Sequence, residues 1–310
     1  MRRAFPEVEV LPWRDVLHEG PVPAGLTLGE LRSVRARFLA RQSWDELGAL
    51  TADLADRDAT LEDALEEDEL VLWFEEDLYD QLQLLQVLDF CSQRERRPET
   101  TRVEAPVLGA LEAEEARRLF AARRKVSSEE LALAEAAWAA FRSPDPRDLL
   151  PFARLGEAPL PSLPAALARH LEELPDLETG LSRSERQALE ALQAGASLVV
   201  EAFRAVHRAE EHAFLGDSVF ATYLDRLASP PCPLLERADG APWRRASEQD
   251  EAFFALEVRL TEAGREVLEG RLCWLDRQPI DRWLGGVHLR AGEPPWRWDR
   301  ARREVVLATG

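Results

Sequence analysis

Four carboxylates crowd one short stretch, Glu75, Glu76, Asp77 and Asp80, with the amide of Gln81 beside them. They follow Glu69-Leu70-Val71-Leu72-Trp73-Phe74, an apolar run of strand length, and overlap the start of Leu78, Leu82, Leu85 and Leu88, which share one helical face. Parallel α/β sheets bind ligands beyond the carboxyl ends of their strands. Carboxylates gathered there have the oxygens for a divalent cation, or crowding can raise the pKa of one into the range of a general base. A local role also suffices: Asp77 caps the helix and Asp80 complements its positive end. Glu75, Glu76 and Asp80 are therefore candidates for catalysis, and Asp77 and Gln81 for ligand binding.

A second group closes the first expected strand, Val8 to Leu11. Trp13 and Arg14 are ligand-binding candidates, and Asp15 and His18 are catalytic candidates with Glu19 next to them. His18 reads either as a ligand or acid/base group or as a hydrogen-bonded loop histidine. Arg14 and Asp15 read either as site residues or as a pair that fixes the loop. A third group lies near the end of the chain: Arg282, Trp283 and His288, with Trp296, Arg297 and Trp298. Flat indoles and guanidinium groups stack on planar ligands, or else pack as a tail in which each Arg meets an acid. Gly285-Gly286 is a turn signal and a poor phosphate loop. No Walker motif, Ser-His-Asp order or His-Glu-x-x-His is present. Cys91, Cys232 and Cys273 are too scattered for a disulfide framework or zinc site, and Cys91 reads as a core residue. No metal is expected, and the residues name no cofactor.

The elements that must position these groups alternate over the first half. Strand signals at Val8–Leu11, Glu69–Phe74 and Thr100–Leu108 are separated by helical patterns, which predicts a parallel, Rossmann-like α/β sheet. Capping boxes open helices at Thr27, Ser43, Ser127 and Ser182, each with Glu three residues on. Seven prolines interrupt residues 143–180. Beyond them, helices around Leu189, Leu198–Val206 and Asp217–Leu227 lead to a hairpin of Pro233–Leu235 with Phe253–Leu260, an order like that of winged-helix modules. The expected division is an α/β domain over 1–142, a Pro-rich helical linker over 143–180, a winged-helix-like domain over 181–275 and a Trp/Arg-rich tail over 276–310.

Composition narrows the function classes. The chain has 310 residues, 45% of them hydrophobic and 31% charged, so it can bury a core. Its formal charge of −19 excludes a generic polyanion binder, since such affinity needs Lys and Arg on phosphates. Residues 180–270 hold ten Arg against sixteen acids, and the helix that would enter a DNA groove carries Asp217 and Asp225 against one Arg226. Nucleic acid is thus not an expected partner, whereas a protein partner or homodimer is. The charge is uneven: Ser43–Asp80 has fifteen acids and one Arg, and Arg271–Arg303 has eight Arg and four acids, so the two stretches are expected to face each other. No run of apolar residues is long enough to cross a membrane, no charged-then-apolar leader opens the chain, and a cytoplasmic location is expected.

Three long stretches carry a family resemblance: Leu11-Pro12-Trp13-Arg14-Asp15-Val16-Leu17-His18-Glu19-Gly20-Pro21-Val22; Leu72-Trp73-Phe74-Glu75-Glu76-Asp77-Leu78-Tyr79-Asp80-Gln81-Leu82; and Asp281 to Leu289 with Trp296-Arg297-Trp298-Asp299. Over nearly its whole length the chain resembles the bacterial domain-of-unknown-function 1835 family. The resemblance implies a fold and no mechanism. Family members begin with a short strand ending in Gly-Asp-Ser and a helix leading into the Trp-Arg-Asp strand. Met1 falls near the end of that helix, so the resemblance implies that the first strand and one wall of a phosphate or nucleotide site are missing. Glu76 stands where relatives often carry His, so imidazole chemistry does not carry over. The expected function is a binding or regulatory protein with an α/β ligand domain and a winged-helix-like protein-contact module. The alternative is an enzyme acting on a phosphorylated or nucleotide-like small molecule through the carboxylates at the strand ends.

Overall fold

A computed structural model describes residues 3–94, 97–104, 108–244 and 251–308; Met1 and positions 105–107 of the third expected strand lie outside them. The described residues form a mixed α/β structure. In chain order they run β1 (Gly20–Pro21), α1 (Leu28–Arg41), α2 (Leu47–Asp63), β2 (Glu69–Phe74), α3 (Leu78–Ser92), β3 (Glu99–Glu104), α4 (Ala113–Ala121), β4 (Arg124–Lys125) and α5 (Ser128–Phe141). The chain continues through α6 (Leu150–Ala153), α7 (Leu163–Leu171), α8 (Arg183–Gln193), α9 (Val199–Ala209), α10 (Asp217–Leu227), β5 (Leu235–Arg237), α11 (Glu251–Phe254), β6 (Val258–Leu260) and α12 (Glu262–Leu268). It ends with β7 (Asp281–Gly285), β8 (Val287–Arg290), β9 (Trp296–Asp299) and β10 (Glu304–Leu307).

Local hydrogen bonding explains which caps form. Thr27, Ser127 and Ser182 each accept from the N–H three residues on, while Glu30, Glu130 and Glu185 return the bond to the cap backbone. The box expected at Ser43 does not form. Ser43 adopts a left-handed backbone (φ 61°) just past α1, and the Trp44 N–H donates to the Leu39 carbonyl. Ser43 thus closes the preceding helix, as left-handed residues do at helix ends, and α2 begins without a side-chain cap.

Strands β2 and β3 pair in parallel from Glu69↔Glu99 to Phe74↔Glu104, and β4 runs antiparallel to β3. This is a small mixed sheet. Val8–Leu11 is not one of its strands: the segment is irregular and Val8 is exposed. Pro6 and Pro12 flank it and supply no N–H to a ladder. The loop that follows reaches a sheet further along, where Gly20 and Pro21 pair in parallel with Leu284 and Gly285 of β7.

One contiguous core runs through the chain, containing Leu17, Leu85, Leu189 and Leu289 together. The Pro-rich segment joins it through Leu160, Leu163, Leu167, Leu171 and Leu174. Helix α3 is buried nearly all round, not along one stripe only, because α5, α7 and β2 all pack against it. Cys91 lies within it, and burial pushes its thiol up to about 11. Among the described residues, no helix is long and apolar enough to cross a membrane.

The acidic and basic stretches do not meet. Among the described residues no ion pair joins Ser43–Asp80 to Arg271–Arg303; Arg282 and Arg300 bind Glu19, Glu173 and Glu178 instead.

Gly285 and Gly286 form the turn between β7 and β8 where it abuts the end of α5. A Cβ on Gly286 would lie 2.0 Å from the Arg142 carbonyl oxygen, and one on Gly285, which has φ +60°, would lie 2.6 Å from that of Phe141. The Gly286 N–H donates to Phe141 and the Gly285 carbonyl accepts from Val22. This double glycine is a docking turn.

Candidate functional site

The acidic stretch forms the turn from β2 into α3, where three of its four carboxylates accept backbone hydrogen bonds. Asp80 accepts from the Glu75 N–H at 2.5 Å, and Asp77 accepts from the Asp80 N–H at 3.0 Å as the helix N-cap. The Glu75 carboxylate accepts from the Leu108 N–H at 2.7 Å, while its carbonyl accepts from the Gln81 amide at 2.6 Å. Burial raises Asp77 to about 7, helped by Asp80 and Glu75, and burial also raises Asp80. Asp77 therefore holds its proton up to near neutrality.

A cavity of about 170 Å³ opens where β2 ends beside β3. Glu76, Gln81, Arg102 and Ser162 supply its polar groups, over a floor that includes Phe74 and Leu84. Glu76 is partly exposed and 3.8 Å from His212 Nδ1. Arg102 is held by the buried carboxylate of Glu130 at 2.6 Å. Glu75, Asp77 and Asp80 do not line this space. Gln81 and Ser162 can exchange hydrogen bonds with a ligand there, while Arg102, held by Glu130 and the Pro159 carbonyl, supplies positive charge, which suits a small polar ligand. Among the described residues no cluster of His, Cys, Asp and Glu has the arrangement of a metal site.

The Trp-Arg-Asp group lies elsewhere, in the interior. Asp15 pairs with Arg35 of α1, at 3.0 Å to Nε and 2.7 Å to Nη2, and not with Arg14, which is exposed. Arg35 also donates to the carbonyls of Val16 and Glu19, so the loop wraps one buried guanidinium. Trp13 donates from its indole to Gln86 at 3.0 Å and stacks under Arg57. His18 is 1% exposed, with both ring nitrogens buried and unpartnered in the protein, edge-on to Phe214. Burial lowers its pKa to about 3 against the opposing charge of Glu173, so the ring is neutral.

Arg282 joins that interior. It donates to Glu19 at 2.6 Å, to the Glu173 carbonyl at 2.9 Å and to the Tyr223 hydroxyl at 3.2 Å. Glu173 is fully buried; burial would raise its pKa, but Arg169 and Arg282 hold it below the usual carboxylate range. Arg169 extends the network to Ser184 and Glu210. The other two C-terminal candidates face outward in a separate cluster. Trp283 stacks on His288 at 4.2 Å between ring centres, and His288 Nε2 is 2.7 Å from Asp281.

The three sequence groups thus occupy three places. Glu76 and Gln81 line a cavity; Asp15, His18 and Arg282 belong to a buried ionic network; Trp283 and His288 pack on the surface. Family models, curated proteins and solved structures were compared with the chain. None matches.

Sequence reasoning did not single out Arg35, Arg102, Arg169 or Glu173. Arg35 had a signal: it occupies the apolar stripe of α1 between Leu31 and Leu39, one turn from each, where an unpaired charge would be costly. Arg169 and Glu173 stand four apart, the spacing of a helical ion pair. Arg102 carried none, because its partner Glu130 is on another element.

Proposed function

We propose that this chain is a bacterial cytoplasmic binding protein of the domain-of-unknown-function 1835 family, a regulator that holds a small polar ligand in the cavity at the ends of β2 and β3. The observation that carries this reading is the lining: Glu76, Gln81, Arg102 and Ser162 converge on one partly apolar space. The proton-transfer candidates other than Glu76 are committed elsewhere. Asp77 and Asp80 bond the turn, and His18 is sealed in the interior. That arrangement favours recognition over turnover.

The partner-contact part of the proposal rests on α8, α9, α10 and the β5/β6 hairpin. Leu198, between α8 and α9, bridges antiparallel to Glu257 beside β6. Three short extended segments therefore run in the order Leu198, β6, β5, the order of a winged-helix sheet. The single arginine of α10, Arg226, is bound to Glu185 at 2.6 Å and is not free for phosphates. A protein surface or a second copy of the chain is the better match for this module.

Nucleotides and sugar phosphates, screened by thermal shift against the chain and Gln81→Leu, test the ligand reading. A stabilising compound that loses its effect in Gln81→Leu supports it; equal shifts in both proteins remove the cavity from consideration. The carboxylate of Glu76, which lines the cavity, keeps one enzymatic alternative open, chemistry on a phosphorylated or nucleotide-like substrate. Consumption of the bound compound, abolished in Glu76→Gln with folding intact, would decide for that alternative.

A further inference from the structure

Another cavity shares no residue with the first and is far more cationic. About 240 Å³ in volume, it is lined by Arg183, Arg186, Arg300 and Arg303, with Trp298 in its wall and only two carboxylates, Glu172 and Asp176. Four guanidinium groups around one concavity are unexpected in a chain of net charge −19. Each carboxylate is already engaged. Glu172 binds Arg183 at 2.6 Å. Asp176 accepts from the Glu178 and Thr179 N–H groups, both at 2.8 Å, and from the Thr179 hydroxyl. Arg300 is drawn to Glu178, at 2.7 Å.

Two of the four cations are weakly engaged. Arg186 Nε is buried with no hydrogen-bond partner, and the nearest carboxylate, Glu190, stands 3.9 Å away, beyond hydrogen-bond reach. Burial and the neighbouring Arg300 disfavour its positive charge, and Glu190 and Asp176 only partly offset them. Among the described residues the Arg303 guanidinium has no ion-pair partner; its own carbonyl accepts from Arg154. A half-buried cation set among like charges, with no carboxylate in hydrogen-bond contact with its Nε, is costly, and an anion of matching geometry reduces that cost.

The walls are fixed before any ligand arrives. The Trp298 N–H donates to Pro175 and its carbonyl accepts from Leu177, tying the 175–181 segment to β9. Arg183 and Arg186 stand on the first turns of α8, whose cap is closed by Ser182 and Glu185. Asp299 accepts from the Ala301 and Arg302 N–H groups and sets the turn that carries Arg300 and Arg303.

We infer that this arginine-lined cavity is a binding site for the phosphate group of a small phosphorylated molecule. Guanidinium forks match tetrahedral oxyanions through paired hydrogen bonds. The volume accommodates a phosphoryl group with a compact organic portion. Net lining charge, four cations against two anions, selects a multiply charged phosphate over a single carboxylate.

Isothermal titration of the full chain with inorganic pyrophosphate tests the inference, with acetate as the carboxylate control. Pyrophosphate is expected to bind with a Kd of about 1 mM or tighter, and acetate to give no heat. Arg186→Gln and Arg303→Ala should each weaken pyrophosphate by about tenfold or more, since each removes a charge-assisted donor. Arg118→Gln, on exposed α4, should bind as the parent does. Arg303 is on the surface, so its variant keeps the test open should Arg186→Gln fold poorly. No binding by the parent chain, equal binding by the parent and both cavity variants, acetate binding as tight as pyrophosphate, or an equal loss in Arg118→Gln would each overturn the assignment. Gln81→Leu should leave pyrophosphate binding unchanged, which separates this site from the cavity at β2 and β3.

Discussion

Glu19 and Arg282 lie 263 positions apart in the chain and meet in its interior, with Arg282 Nε and Nη2 at 2.6 Å and 2.5 Å from Glu19 Oε1. The contact joins two of the longest sequence motifs. It is also the junction of a larger network, since Arg282 reaches Glu173 and Tyr223 while Glu19 lies 3.6 Å from Arg226. Formal charges alternate through it, and each buried ion has several partners. Such a network is destabilised when one member is removed, because the others are left charged and unpaired in a low-dielectric interior.

Arg282→Ala should therefore cost about 3–5 kcal/mol of folding stability, read from urea unfolding midpoints. Arg282→Lys should recover little, because an ammonium cannot span Glu19, Glu173 and Tyr223 at once. The double variant with Glu19→Ala should cost less than the two single losses added together. A loss below about 1 kcal/mol in Arg282→Ala would mean that the network contributes nothing net.

Glycine substitutions should separate turn geometry from helix propensity. Gly286→Ala drives a methyl group into the Arg142 carbonyl and must displace the β7–β8 turn from α5. It should lower the melting temperature by several degrees, the effect of about 1–3 kcal/mol of overpacking. Gly48→Ala, in α2 with nothing near the added carbon, should instead be neutral or stabilising by up to about 1 kcal/mol. Equal behaviour of the two variants would contradict the docking role of the turn.

Acid should act on the fold through its buried histidines. Unfolded His18 and His170 protonate near the ordinary 6.5, whereas burial keeps the folded rings neutral down to about 3 and about 4. Between those values the unfolded chain binds the extra protons, so these groups cost stability progressively as pH falls below 6.5. His18→Leu removes one of the two. Its stability relative to the parent should improve from pH 7 to pH 4, by up to about 1.4 kcal/mol per pH unit well below 6.5. A constant difference over that range would show that His18 takes up its proton in the folded state.

Asp77 should act in the opposite sense. Its folded pKa of about 7 exceeds the ordinary 3.8, so the folded chain holds a proton that the unfolded chain has released. Stability from this group is full below about 4 and declines as pH rises towards 7. Asn caps helices as well as Asp does, so Asp77→Asn should raise the melting temperature by a few degrees at pH 8 and leave it unchanged at pH 4. A variant that is destabilised at both pH values would show that the ionised carboxylate is needed at the cap.

Much of the local structure was legible in the residues. The caps at Thr27, Ser127 and Ser182, the cap at Asp77, the strand at Glu69–Phe74 and the burial of Cys91 all follow from patterns within a few positions. Where local reading failed, a competing local bond or a missing partner decided. Ser43 had a capping pattern, but α1 used it to terminate. Val8–Leu11 had strand chemistry, but a strand exists only as part of a ladder. Of the candidate site, the cavity at the end of β2 was legible through Glu76 and Gln81, because strand ends are where α/β sheets leave space.

The sequence by itself determined the helices that open at Thr27, Asp77, Ser127 and Ser182 with their caps, the acidic balance and the turn at Gly285-Gly286, because those depend on hydrogen bonds, sterics and composition among near neighbours. Only the tertiary structure decided that Asp15 binds Arg35 and not Arg14, that His18 is sealed, and that Glu19 meets Arg282. It alone gathered Arg183, Arg186, Arg300 and Arg303 around one cavity. Charge acts over several ångströms in any direction, and its cost depends on burial. Neither distance nor burial is fixed until distant segments pack together.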